Sequence, residues 1–131
     1  LLSVQVNRLE RWWRDGLLCI GDAAHAMSPV GGVGINLAVQ DAIAAARMLG
    51  TPLRDGTLTT DHLAAVQRRR ERPARLTQAV QVFAHKRVLV PALSAAAPIR
   101  APLPLRLLQW LPMLQRLPAR AIGMGLRPEH W

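Results

Sequence analysis

The chain has 131 residues, half of them apolar, with a single cysteine and a formal net charge of +9. That describes one domain or part of one, apolar enough to build a core, so a chain disordered in bulk is not expected. The lone Cys19 excludes an intrachain disulfide and suits a reducing cytoplasm.

Lys86 is the only lysine among the seventeen basic residues. The arginines are spread along the chain and no nucleic-acid-reading module accompanies them, so the charge alone does not make a nucleic-acid binder. The chain opens on Leu1-Leu2-Ser3-Val4 without a basic leader, and reads as the interior of a longer protein.

Leu2, Val4 and Val6 alternate with polar residues and predict a half-buried strand. Asp15-Gly16 is a hairpin or loop signal. Leu17-Leu18-Cys19-Ile20 is a continuous apolar run, as in a strand covered on both faces, and Gly21-Asp22 closes it. A helix is expected from about Gly34 to Leu49, stopped by Gly50 and Pro52, largely buried and with Asn36, Gln40 and Arg47 on its one polar stripe. A second helix is expected from Asp61, with Thr60 as N-cap and a kink or restart at Pro73. Leu76, Val80 and Phe83 mark its apolar stripe, and Arg68-Arg69-Arg70-Glu71-Arg72 reads as a solvated face. From Pro91 onward prolines break an apolar, leucine-rich sequence into pieces too short to span a bilayer.

The chemistry concentrates between residues 21 and 36. A carboxylate at the end of an apolar strand, as Asp22 is, suits hydroxyl groups such as those of a sugar alcohol chain; the plainer reading is a loop aspartate capping the next turn. Gly31-Gly32-Val33-Gly34 ahead of a helix lets backbone N–H groups approach an anionic ligand, or simply makes a tight turn. No Lys-Ser/Thr follows the glycines, so a P-loop is not supported, and no Gly-x-Ser-x-Gly elbow is present. His25 in Ala-Ala-His-Ala reads as structural and not as a general base, and His25, His62, His85 and His130 lack metal-ligand spacing with Cys19.

The order Gly21-Asp22, Pro29, glycine-rich turn, helix resembles the second FAD fingerprint of the aromatic-ring hydroxylases, flavoprotein monooxygenases of the p-hydroxybenzoate hydroxylase type. The likeness is specific over residues 2–50 and looser beyond, where Arg68-Arg69-Arg70-Glu71-Arg72-Pro73 and Gly125-Leu126-Arg127-Pro128-Glu129 are similar to the group's C-terminal part. The resemblance implies an α/β chain: a fragment of a Rossmann-like FAD-binding domain over residues 1–50, followed by a helical C-terminal region over 51–131. It assigns Asp22 to the flavin ribityl chain, with Gly21 beside it in the cofactor site, and Pro29 to the reactive face of the ring. Gly32, Val33, Gly34, Ile35 and Asn36 fall at the edge that becomes anionic on reduction.

It further implies FAD as cofactor, NADH or NADPH as electron donor, and oxygen-dependent hydroxylation of an aromatic or similar organic substrate in the cytoplasm. The N-terminal Gly-x-Gly-x-x-Gly unit and most of the substrate domain have no counterpart in these residues, so the chain is expected to be inactive as it stands. Two other readings are a non-enzymatic flavin-tail or helical module that completes a partner chain, and a peripheral membrane element resting on the Leu/Trp/Arg-rich residues 103–120, which is not favoured.

Overall fold

Residues 6–28, 32–90 and 128–129 are described by the computed structural model. The strand expected around Leu2 and Val4, Pro29, Gly31 and the proline-rich stretch 91–127 lie outside them. Among the described residues the order is strand β1 (Trp13–Arg14), strand β2 (Leu17–Leu18), a 3-10 turn at Gly21–Ala23, helix α1 (Val33–Arg54) and helix α2 (Thr60–Ala84), which continues into a π-helical turn at His85–Leu89.

The two strands form an antiparallel hairpin, Trp13 opposite Leu18 and Arg14 opposite Leu17. Asp15-Gly16 makes its two-residue loop as expected, with Gly16 at a φ of 70° that an L side chain adopts only under strain. Beyond the hairpin, the Cys19 N–H donates to the Trp12 carbonyl at 2.7 Å, and Leu9 and Asn7 donate to the carbonyls of Ala24 and Ala26. The apolar run is thus a hairpin arm and not a strand covered on both faces: Leu17 is 44% exposed.

Helix α1 runs five residues further than Leu49, through Gly50 and Pro52. Its true stop is Gly56, in the left-handed region at φ 66°, where the N–H of Thr57 reaches the Pro52 carbonyl and that of Gly56 the Leu53 carbonyl. This is a Schellman closure, and it satisfies the last carbonyls that Gly50 would have left to solvent. The inward face is also different from the one expected. Gln40 and Asp41 are buried beside Leu37, Ala44 and Leu49, whereas Ile35 and Val39 point outward.

Thr59, one residue before the expected cap, starts α2 in a capping box with His62, whose Nδ1 accepts the Thr59 N–H at 3.1 Å. The helix passes Pro73 without restarting. Its inward face is a polar stripe. Gln67, Arg70, Gln78 and Gln81 are buried together with Leu63, Val66 and Ala74, and the expected apolar stripe of Leu76, Val80 and Phe83 is more than half exposed. The polar side chains hold backbone. Gln67 accepts from the Trp12 N–H at 3.0 Å and donates to the Glu10 carbonyl at 2.8 Å. Gln78 donates to the carbonyls of Asn7 and Ala26 at 3.0 and 3.1 Å, and Gln81 to that of Ser28 at 3.1 Å.

Among the described residues, apolar packing is correspondingly modest. Trp12, Ala24, Leu37 and Ala74 form one cluster, and Leu49, Leu63 and Val66 another, with Leu18 touching both. Among the described residues no helix is long and apolar enough to cross a membrane.

Candidate flavin site

Two elements meet at the carboxyl end of the hairpin arm. The first is the turn that starts at Gly21. Gly21 has a φ of 57°, and a Cβ there would come within 2.9 Å of the Ala38 Cβ on α1. Only glycine fits both the backbone and the space. The turn closes on the Gly21 carbonyl, which accepts the N–H groups of Ala24 and His25, each at 2.9 Å. This leaves Asp22 at the surface, buried on neither side.

The second element is the start of α1. Gly32 is its N-cap at φ 62° in the left-handed region, and Val33 is the first helical residue. Gly34 sits one residue further, with room for a Cβ at 3.7 Å from the Met27 Cβ. The turn and the helix start enclose an open groove of about 270 Å³, lined among the described residues by Asp22, Met27, Ser28, Gly32, Gly34 and Ile35.

Four of the eight candidate residues meet in one place. Asp22, Gly32, Gly34 and Ile35 share one groove, Ile35 being 75% exposed. Gly21 lies beneath the turn as its hinge and is buried. Val33 and Asn36 belong to the same helical turn without lining the groove, and Pro29 lies outside the described residues. The groove offers one carboxylate, a glycine-lined wall and the first-turn amides of a long helix. It suits hydroxyl groups on one side and a delocalised anion on the other.

Sequence reasoning missed the network behind the groove. Asp41 is fully buried; its Oδ2 accepts from His25 Nε2 at 2.5 Å and from the Gly21 N–H at 3.1 Å, and its Oδ1 accepts from Arg70 Nε at 2.8 Å. His25, 1% exposed, packs its ring against Trp12 with centroids 5.0 Å apart. Its contacts with Asp41 and Trp12 are those of a core side chain.

Arg70 is a correction to the solvated arginine face: it is fully buried, and its guanidinium also reaches Gln40 Oε1 at 3.2 Å and Glu129 Oε1 at 3.5 Å. Arg69 holds the same Glu129 with two hydrogen bonds of 2.7 and 2.8 Å, which, opposed by desolvation, raise the Arg69 guanidinium above its ordinary value. One signal for Asp41 was present in the sequence: it is the only charged residue between Gly32 and Ala46.

The FAD binding domain family matches residues 1–80 of this chain. The chain belongs to that family. It is 46% identical over 89 residues to 6-methylpretetramide 4-monooxygenase of Streptomyces rimosus, covering 68% of this chain and 21% of that protein. It is 55% identical over 42 residues to kynurenine 3-monooxygenase of Xanthomonas oryzae pv. oryzae and 52% identical over 42 residues to that of Stenotrophomonas maltophilia, in both cases 31% of this chain and 9% of the relative. The chain thus matches about a fifth or less of the length of these relatives, within a family defined by the cofactor.

Proposed function

We propose that this chain supplies the ribityl- and ring-binding wall of an FAD-dependent monooxygenase, one that takes electrons from NADH or NADPH and hydroxylates an aromatic or similar organic substrate. The observation that carries the reading is the groove in which an exposed carboxylate, Asp22, faces the glycine-lined start of α1. The residues present fit part of FAD. Asp22 is the acceptor for ribityl hydroxyls; Gly32, Val33, Gly34, Ile35 and Asn36 bring backbone N–H groups toward the ring edge, and Pro29 walls the ring. Bound flavin supplies the redox chemistry; the chain positions it and favours its reduced, anionic form.

No residues here suit the pyrophosphate, since the 131 residues contain no Gly-x-Gly-x-x-Gly. We therefore read residues 1–50 as the last part of a Rossmann-like FAD-binding domain and 51–131 as a helical region packed on it, inactive without the remainder of the site. The free thiol of Cys19 and the need for a nicotinamide donor suit the cytoplasm.

The test is a chimera in which the matching 89 residues of the Streptomyces rimosus protein are replaced by those of this chain. The chimera is expected to purify with bound FAD. Asp22→Ala in it removes a charged acceptor worth about 1.5–3 kcal/mol, weakening FAD binding by roughly 10- to 150-fold. A chimera carrying Asp22→Ala with undiminished flavin content and affinity overturns the assignment.

A further inference from the structure

We propose that Asp41, which lies outside the groove, is its positioning residue: one buried carboxylate ties both ends of the turn bearing Asp22 to the helix that forms the opposite wall. The proposal rests on the flavin reading of the groove.

Asp41 is fully buried and stands beyond Ile35, the last groove residue on α1, by about 9 Å along the helix axis, so it does not line the groove. Its Oδ2 accepts from the Gly21 N–H and from His25 Nε2, the two residues that bracket the turn. Ala38, one helical turn earlier on the same face, presses on the Cα side of Gly21. Two contacts one turn apart fix both the sliding and the rotation of the turn against α1. Gly32, Gly34 and Ile35 ride on that same helix. The Asp41 clamp then sets the span from Asp22 to the helix start.

The other two members of the network maintain the clamp. Arg70 occupies Oδ1, so a fully buried carboxylate has a buried cation beside it and its charge is compensated. Trp12 holds the imidazole of His25 in place from its other side. A residue that merely cements the core would change stability alone. A positioning residue also changes the order of the turn and the response of Asp22 to ligand.

The whole 131-residue chain, labelled with nitrogen-15, is examined by amide exchange and by titration with millimolar FAD. In the wild type the Gly21 amide is expected to exchange at least about tenfold more slowly than that of Ala23, because it donates to a buried charged acceptor. FAD is expected to shift the amides of Asp22, Gly32 and Gly34. Asp41→Asn, which keeps one neutral acceptor oxygen in place of two charged ones, should weaken the protection of Gly21 and the FAD response of Asp22 while the helix-start response of Gly34 persists.

Should Asp41→Asn fail to fold, His25→Leu removes one donor and keeps the Asp41–Arg70 pair, and His25→Gln restores a donor in nearly the same place. Loss of the Asp22 response in the first and its return in the second support the clamp. Gly21 exchanging as fast as Ala23 in the wild type overturns it, as does an unchanged Asp22 response in Asp41→Asn or, where that variant does not fold, in His25→Leu. If FAD moves none of these amides in the wild type, this part of the site does not hold FAD without the remainder, the chimera decides the flavin reading, and the exchange of Gly21 still decides whether Asp41 holds the turn.

Discussion

Replacing Gly21 by alanine tests the junction between the turn and α1 in a single atom. The residue stands at φ 57°, and the added Cβ meets the Ala38 Cβ at 2.9 Å and its Cα at 3.5 Å. A left-handed conformation costs an alanine about 1–2 kcal/mol. Overpacking against a helix backbone that cannot yield costs about 1–3 kcal/mol more. The alanine also restricts the unfolded chain, which returns about 0.4–1 kcal/mol. Gly21→Ala should therefore destabilise by about 2–4 kcal/mol, a large share of a domain stability of about 5–15 kcal/mol.

Gly16→Ala is the internal control. It carries the same kind of strain at φ 70° with nothing within 4 Å of its Cβ, so about 0.5–1.5 kcal/mol is expected. Urea unfolding followed by far-ultraviolet circular dichroism measures both. Ala38→Gly added to Gly21→Ala should recover the contact part of the loss, less the roughly 0.5–1 kcal/mol that glycine costs inside a helix. Equal losses at positions 16 and 21, or no recovery in the double variant, would show that the turn does not press on α1 as described.

Gly50 lies inside α1 with open space around its Cβ position, so Gly50→Ala should stabilise the chain by about 0.5–1 kcal/mol in the same urea assay. Arg70→Met leaves the buried carboxylates of Asp41 and Glu129 without that cation and should cost about 3–5 kcal/mol, read as a fall in the urea midpoint. Gly34→Val has space beside Met27 and should fold. In the chimera it should lower the flavin reduction potential in a redox titration, because a branched side chain keeps the helix-start amides from the reduced ring.

What the sequence revealed and what it hid divide along the range of the forces involved. Asp15-Gly16, the glycine-rich entry to α1 and the cap of α2 are local signals, and each fell within a residue of its place. The end of α1 did not: the helix continues through Gly50 and Pro52 to the left-handed Gly56, where the amides of Gly56 and Thr57 satisfy the carbonyls of Leu53 and Pro52. The orientation of α2 was misread for a different reason. Apolar periodicity pointed to Leu76, Val80 and Phe83, and hydropathy assigned the run Arg68-Arg69-Arg70-Glu71-Arg72 to water. The partners that make Arg70 an interior residue, Asp41 and Glu129, lie 29 and 59 residues away, and no local pattern pairs them with it. The candidate groove was legible because its requirements are written in neighbouring glycines; the clamp behind it was not.

The polar face of α2 also determines how many ways the helix can sit. An apolar face slides with small loss, since one methyl group replaces another. Gln67, Gln78 and Gln81 each address particular carbonyl or amide groups of residues 7–12 and 26–28. Moving the helix by one turn, about 5.4 Å, would misalign all three at once. Each buried group left unmatched costs about 1–3 kcal/mol, so neighbouring registers lie far above the native one. The helix has a unique seat, defined by direction more than by grease, and the loop leading toward Pro29 is held in that same seat.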